Sequence, residues 1–278
     1  MTKNFLNNML YNRQRALLGV IDLLNKKGIT SKLYLMKTLF LIKQEIPSFN
    51  YDFYPYKLGP YSRTVYWDLD YLKKQDLIEA NEKVITLNGK KEVRISDEVV
   101  NKVNEIINKF SNKDKIKDFV YEKYPGFTEN SILLPHKKTM QKGRFTIGYE
   151  GKSIDFFVNQ LVQNKVTKLI DVRKNAFSMK RGFSKTTLRE TVESAGIVYE
   201  HVPMLGIDSD KRQMLETKED YEKLFKAYRV TLPKREVELN YIKSESERER
   251  IAIMCFEKDP SYCHRGQISD FVGGFEHL

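Results

Sequence analysis

The chain of 278 residues changes its hydrophobic pattern about halfway along. In the first part, apolar residues recur at three- and four-residue intervals, as within 17–24 and 33–42, which predicts amphipathic helices. From residue 144 onward, short apolar runs alternate with stretches of helical periodicity. The runs that predict strands are 145–149, 167–173, 197–202 and 251–256. Because alternating strands and helices form parallel sheets, the sequence predicts an α/β, doubly wound, mostly parallel sheet domain preceded by a helical domain.

The helical part also carries signals of a winged helix. Ser62 stands where a hydroxyl can cap a helix, and that helix would be the third. Alternating runs at 83–87 and 92–95 flank an Asn-Gly pair, which favours a hairpin turn. Three helices followed by such a wing describe a winged helix, in which Ser62 and Arg63 would begin the DNA recognition helix. The same arrangement could serve protein contacts instead.

Residues 32–95 resemble the N-terminal domain of Panacea-type antitoxins and of related phage and plasmid proteins. The resemblance rests on the hydrophobic helix at 35–44, on Leu58-Gly59-Pro60-Tyr61-Ser62, and on 69–78. It implies a setting in mobile elements or phage conflict.

The charge of the chain makes nucleic acid the expected partner. The net charge is +11 and the pI is about 9.3, and a basic surface favours polyanions. An AT-rich genome could produce the same excess of lysine without any such partner. We expect no membrane partner, because no run of about 18 apolar residues occurs. We also expect a cytoplasmic protein, because the N-terminus has no signal-peptide core and the two cysteines cannot form a disulfide framework.

The segment from Cys255 through Arg265 concentrates reactive side chains in one loop. It contains two cysteines, a glutamate, an aspartate, a histidine and an arginine. An apolar run at 251–254 precedes it, and a helix-like stretch at 267–272 follows it. Loops at the carboxyl ends of parallel strands form the ligand crevice, and a helix N-terminus attracts anions. We therefore expect the chemistry of the protein in this loop.

The part from Phe145 to the C-terminus resembles the family catalogued as domain of unknown function 488. The resemblance is carried by Thr146-Ile147-Gly148-Tyr149-Glu150, Asp171-Val172-Arg173, Arg181-Gly182-Phe183, Ala195-Gly196-Ile197-Val198-Tyr199, His201-Val202-Pro203-Met204-Leu205-Gly206 and Cys255 through Arg265. On a parallel sheet these motifs would converge on one edge. The sequence thus predicts a winged-helix-like nucleic-acid-binding domain at 1–125, a linker at 126–142, and an α/β domain with the active site at 143–278.

Residues at this edge suit an enzyme that acts on a nucleotide flipped out of DNA. A carboxylate can stabilise the positive charge that develops on the sugar when an N-glycosidic bond breaks, and arginines can bind phosphates. We therefore expect a metal-independent DNA N-glycosylase, a hydrolase without cofactor directed at modified or foreign phage DNA. The expected catalytic residues are Asp171, Glu150, Glu257, His201 and His264. The expected phosphate-binding residues are Arg173, Arg181, Arg265, Ser62 and Arg63, and the expected base-stacking residues are Tyr149 and Phe183.

Other interpretations of these residues stay open. A non-enzymatic regulator could sense a nucleotide in the α/β domain, and a nuclease could use the carboxylates with a metal ion. Cys263 could act as a thiol nucleophile at a helix N-terminus. Cys255, Cys263, His264 and His201 could bind zinc, although the spacing lacks a Cys-x-x-Cys pair. Structural roles are equally open, since Asp171 could pair with Arg173, Glu257 with Arg265, and the aromatic rings could pack in the core.

Overall fold

The computed structural model describes residues 10–89, 93–134, 142–212 and 215–278. The chain divides into two compact units, Met1–Pro135 and His136–Leu278, which we call the N-terminal and the C-terminal unit. Of the expected linker at 126–142, residues 135–141 lie outside the described residues.

The N-terminal unit is mainly helical. Its α-helices within the described residues are α1 (Asn12–Asn25), α2 (Lys32–Glu45), α3 (Arg63–Lys74), α4 (Asp97–Lys109) and α5 (Lys113–Lys123). Ser31 and Ser62 cap α2 and α3, because each hydroxyl accepts a hydrogen bond from the amide three residues on. The apolar faces of the five helices share one buried core, which explains the helical periodicity of this part of the sequence.

Two short antiparallel hairpins complete the described part of this unit. They pair β1 (Tyr54–Tyr56) with β2 (Gly59–Tyr61) and β3 (Ile78–Ala80) with β4 (Ile85–Leu87). The predicted hairpin of 83–87 with 92–95 is wrong, since the second segment forms no strand where it is described and Glu92 lies outside the described residues. Asn81 makes the observed turn instead, because its side chain accepts hydrogen bonds from the amides two and three residues on.

The C-terminal unit is a five-stranded parallel sheet flanked by helices, which confirms the predicted α/β class. The strands are β5 (Gly143–Gly148), β6 (Lys168–Asp171), β7 (Val198–His201), β8 (Arg250–Cys255) and β9 (Glu276–His277), in the order β7-β6-β8-β5-β9. The helices are α6 (Ile154–Gln163), α7 (Lys185–Ser194), α8 (Lys218–Thr231), α9 (Glu236–Arg248) and α10 (His264–Val272). Strands β6 and β8 are almost entirely buried, as expected of parallel strands covered on both faces. Across the described ranges of the chain, every helix is too short or too polar to cross a membrane.

Strand register brings several chemistry-bearing residues to one edge of this sheet. Asp171 at the end of β6 lies opposite His201 at the end of β7. Gly148 ends β5 opposite Cys255 of β8. A Cβ atom at Gly148 would lie 1.8 Å from the carbonyl oxygen of Glu257, so only glycine lets the loop after β8 pass this closely. The carboxyl ends of four strands therefore share one edge, as the motifs predict.

Candidate functional site

Asp171 is fully buried, and both of its carboxylate oxygens accept hydrogen bonds from protein groups. The Arg173 guanidinium reaches both oxygens, with Nε 2.8 Å from Oδ1 and Nη2 2.6 Å from Oδ2. The Tyr199 hydroxyl donates to Oδ2 at 2.7 Å, and the Arg173 amide donates to Oδ1. This corrects the expectation of a catalytic carboxylate, because Asp171 exposes no oxygen to a substrate or a water molecule. The alternative in which Asp171 pairs with Arg173 is confirmed.

Arg173 is engaged by protein partners in the same way. Its Nη1 donates to the Tyr149 hydroxyl at 3.0 Å and to the Phe183 carbonyl at 2.9 Å. Burial opposes the charge, but the hydrogen bonds and charge of Asp171 outweigh it and raise the pKa of Arg173. The expected phosphate-binding role is thereby corrected: the guanidinium links the end of β6 to the loops after β5 and before α7.

Tyr149 and Phe183 stack on each other instead of offering a platform for a base. Their ring centroids are 4.3 Å apart with an interplanar angle of 11°. Both rings are buried, and Phe183 is fully enclosed. The packing alternative is therefore confirmed and the stacking expectation corrected. Arg181, two residues before Phe183, is exposed.

Arg265 lies beneath the loop after β8 and stabilises it through hydrogen bonds. The side chain is buried, and its two Nη groups donate to the carbonyl oxygens of Glu257 and Lys258. The phosphate-binding expectation for Arg265 is corrected, because these carbonyls take the donors a phosphate would need. The Glu257 carboxylate pairs with Arg212, not with Arg265. Burial opposes its ionisation, but the Arg212 guanidinium outweighs burial and lowers the pKa of Glu257.

A pocket of about 380 Å³ opens beside the loops that follow β6 and β7, and we call it the His201 pocket. It is lined by Lys174, Asn175, Ala176, Phe177, Ser184, Lys185, Thr186 and His201. Lys185 and the N-terminus of α7 bring positive charge to it, and so does Lys174, although its Nζ also lies 3.5 Å from Oδ1 of Asp208; this charge suits an anion. The Phe177 ring is 69% exposed and therefore available to a planar ligand. Of the five expected catalytic residues, His201 lines this pocket.

The hydrogen bond of His201 fixes which ring nitrogen carries the proton. Nε2 lies 2.8 Å from the Arg173 carbonyl oxygen. A carbonyl oxygen can only accept, so Nε2 is the donor and Nδ1 of the neutral ring is an acceptor. His201 is therefore set up to take a proton from a water molecule or a substrate in the pocket.

Sequence reasoning missed three members of this pocket: Lys174, Lys185 and Phe177. One signal was available for Lys185, since it directly follows Ser184, the N-cap residue of α7. A lysine in the first turn of a helix points to an anion-binding end of that helix. Nothing in the sequence distinguishes Lys174 or Phe177 from other exposed lysines and aromatic residues.

The expected catalytic carboxylates do not meet His201 at one point. Glu150 follows β5, is exposed, and accepts a hydrogen bond at 2.8 Å from the Lys258 amide. Because β5 and β7 are three strands apart in the sheet, they are separated by about 14 Å at ~4.8 Å per strand. Within the described ranges, Asp171, Glu150 and Glu257 are not gathered into a cation site. The metal-dependent nuclease alternative gains no support from this arrangement.

Cys255, Cys263 and His264 form a buried group at the end of β8 and the start of α10, which we call the Cys-His cluster. The His264 Nδ1 lies 3.6 Å from the Cys255 Sγ and 4.0 Å from the Cys263 Sγ. The His264 Nε2 lies 2.9 Å from the Val172 carbonyl oxygen. Burial raises the pKa of the Cys263 thiol well above its ordinary value, which disfavours the thiolate that the nucleophile alternative requires.

The Cys-His cluster also settles two expectations about histidines. His264 is buried, with both ring nitrogens directed at protein atoms, so its expected role in assisting a departing base is corrected. His201 is not among the clustered ligands that the described residues provide.

In the N-terminal unit, Ser62 is fully buried and its hydroxyl is used as the cap of α3. Its expected contact with a phosphate is corrected for that reason. The Arg63 guanidinium lies 5.8 Å from the ring centroid of Trp67.

A cavity of about 670 Å³ opens in the N-terminal unit. Its aromatic and cationic lining residues include Tyr56, Tyr61, Tyr66, Lys32, Lys37, Lys57, Lys83, Lys113 and Lys117.

Comparison with known proteins places a family match on the C-terminal unit. A family model described as a domain of unknown function, DUF488, matches residues 153–272. The His201 pocket and the Cys-His cluster both lie inside the matched residues. No curated protein matches this chain. The winged-helix resemblance of residues 32–95 stays a prediction.

Proposed function

We propose that this protein binds DNA and that its C-terminal unit hydrolyses the N-glycosidic bond of a nucleotide held in the His201 pocket. The observation that carries the proposal is a histidine of fixed tautomer in a basic pocket with an exposed aromatic ring. This assigns the chemistry to His201 and withdraws it from Asp171, whose carboxylate is saturated by protein partners.

Each part of the pocket matches a part of a flipped nucleotide. Lys174, Lys185 and the α7 N-terminus bind the phosphate, and the exposed Phe177 ring stacks on the base. Water attacks C1′ while the base leaves with the electrons of the C–N bond. His201 Nδ1 takes the proton of that water and the resulting imidazolium returns it to the departing base.

The charge of the chain supports the choice of DNA as substrate. A net charge of +11 favours a polyanion, and the N-terminal unit adds a lysine- and tyrosine-lined cavity. The N-terminal unit acts as a winged helix in this proposal, with α3 and its Arg63 next to the duplex. Its resemblance to antitoxin domains favours modified or phage DNA in the cytoplasm as the target.

The test uses duplex oligonucleotides that carry a panel of modified bases, incubated with protein and then treated with hot alkali. Strand breaks that appear only after alkali indicate abasic sites. We expect them with the native protein, with or without EDTA, and a rate lower by about 10²-fold or more with His201→Gln. The matched control is His277→Gln, because His277 is exposed and lies on β9, away from the pocket. Full activity of His201→Gln, or breaks without alkali, would contradict the proposal.

One observation favours a second function, a regulator that senses a nucleotide without turnover. Among the residues that the structure describes, those that line the His201 pocket include no carboxylate to stabilise a charged sugar. In this case mononucleotides bind and are released unchanged, and Lys174→Ala and Lys185→Ala weaken binding. Calorimetric titration of nucleotides that shows affinity for the native protein, together with uncut DNA across the whole panel, would favour the regulator.

A further inference from the structure

The Cys-His cluster has the composition of a metal site. The chain contains two cysteines in all, and both lie here beside one histidine. The three candidate ligand atoms lie within 4.8 Å of one another, and all three side chains are buried. We propose that Cys255, Cys263 and His264 bind one zinc ion and that Glu257 completes a tetrahedral site. This site goes beyond the proposed function and does not depend on it.

Three separations within the cluster match edges of a zinc tetrahedron. With Zn–S near 2.3 Å and Zn–N or Zn–O near 2.0–2.1 Å, tetrahedral geometry requires S···N and S···O separations of about 3.6 Å. The His264 Nδ1 lies 3.6 and 4.0 Å from the two sulfurs. Glu257 Oε2 lies 3.6 Å from the Cys255 sulfur. Along these three edges an ion needs only shifts of a few tenths of an ångström, whereas Glu257, which lies outside the group of three ligand atoms within 4.8 Å of one another, must move further to complete the site.

Hydrogen bonds around the cluster orient the ligands as metal sites require. The His264 Nε2 faces the Val172 carbonyl, which can only accept, so Nδ1 of the neutral ring turns its lone pair to the two sulfurs. Arg212 pairs with Oε1 of Glu257, which leaves Oε2 for the ion. Metal-bound histidines usually donate their other N–H to a carbonyl or a carboxylate, and this histidine does so.

The ligand set selects zinc, and its burial indicates a structural role. Two thiolates with an imidazole are soft and borderline ligands that favour zinc over magnesium or calcium. Four protein ligands close the site and leave no position for a substrate. The ion fastens the end of β8 to the start of α10 and, through His264, to the Val172 carbonyl. The next carbonyl, that of Arg173, holds His201, so zinc steadies the loop that forms one wall of the His201 pocket.

Metal analysis of the native chain is the first experiment. The protein is produced without a histidine tag and purified with a phosphine reductant, with no metal added. We expect about one zinc per chain by mass spectrometry, as for a structural site. Exchange with cobalt should give the strong visible absorption of a tetrahedral cobalt thiolate. A chain with neither zinc nor that absorption would overturn the proposal.

Variants locate the ion. Cys263→Ser and His264→Gln should each lose most of the zinc, and His277→Gln, outside the cluster, should keep it. Full retention by Cys263→Ser would overturn the assignment. These variants could fail to fold, so the native protein provides a second measurement. Titrating its two thiols with a mercurial reagent should release zinc to a chromophoric chelator in step with thiol modification, and no release would again overturn the proposal. None of these readouts uses DNA, so they succeed or fail independently of the proposed glycosylase.

Discussion

Asp68 in the N-terminal unit and Asp171 in the C-terminal unit are both completely buried and paired with an arginine, and the two aspartates are held in different ways. In the N-terminal unit, Asp68 accepts hydrogen bonds from Arg13, Gln14 and Tyr51, which come from other segments of the chain. The Arg13 side chain stays 29% exposed. In the C-terminal unit, Asp171 is paired with Arg173 only two residues away, and the arginine side chain is 6% exposed. The Asp68–Arg13 pair is therefore partly exposed to solvent, whereas the Asp171–Arg173 pair is buried.

The buried Asp171–Arg173 pair positions other groups at the edge of the sheet. The Nη1 group of Arg173 donates to Tyr149 and to Phe183, so the Asp171 pair joins two loops of the sheet edge: the loop after β5 and the loop from β6 to α7. The carbonyl groups of Val172 and Arg173 then hold His264 and His201. Asp171 thus acts on the site through the backbone it positions, whereas Asp68 joins α1 to α3.

Removing Asp171 should have the largest effect on the free energy of unfolding. Asp171→Ala leaves Arg173 buried and unpaired, which costs about 3–5 kcal/mol. Denaturant unfolding, followed separately for the two units, measures the loss. Tyr199→Phe is the mild companion, since it removes one hydrogen bond and should cost about 1 kcal/mol. If Asp171→Ala kept its stability but formed no abasic sites, the carboxylate would be catalytic after all.

The counterpart in the N-terminal unit should be affected less. Asp68→Ala leaves the buried Gln14 amide nitrogen without its acceptor, whereas the Tyr51 hydroxyl keeps the Arg13 carbonyl and the partly exposed Arg13 side chain can turn to water, so we expect a loss of about 2–3 kcal/mol. The same unfolding measurement applies to this variant. A cost equal to or above that of Asp171→Ala would show that exposure of the arginine does not set the difference.

The fold was predictable from the sequence to a larger extent than the site. Alternating apolar runs predicted the parallel sheet, and Ser62 predicted a helix start, because these signals are local. The hairpin was predicted at the Asn-Gly pair after β4, but the structure forms it between β3 and β4. The turn there is made by Asn81, a weaker sequence signal than Asn-Gly.

The sheet edge where the motifs meet could be predicted from the sequence, but the environment of each residue at that edge could not. Motif positions correctly identify the sheet edge, but they do not show whether a carboxylate meets solvent or an arginine. Asp171 and Arg265 look reactive in the sequence. Both are buried and bonded to protein groups in the folded chain, and the sequence does not show burial or hydrogen-bond partners. The neighbours of His201 come from loops whose exposed lysines carry no distinguishing pattern.

Lys37 of the N-terminal unit is a buried cationic group whose hydrogen-bond partners are carbonyl groups. It extends the comparison of buried charged groups, and its expected effect is the smallest of the three. Its Nζ donates to the Leu58 and Pro60 carbonyl oxygens, and burial lowers its pKa from 10.5 to about 7. Between these two values the unfolded chain binds a proton that the folded protein does not, so stability rises with pH across this window. Below about pH 7 both states are protonated and the burial penalty is fully present.

Replacing Lys37 with methionine should remove this pH dependence. The carbonyl acceptors favour the charged form and weaken the effect, so we expect the native protein to gain about 1–2 kcal/mol relative to Lys37→Met between about pH 7 and pH 9. Paired denaturant curves at both pH values measure the difference. An unchanged difference would show that the two carbonyls hold the ammonium group charged throughout, and that Lys37, like Arg173, is stabilised by its partners despite its burial.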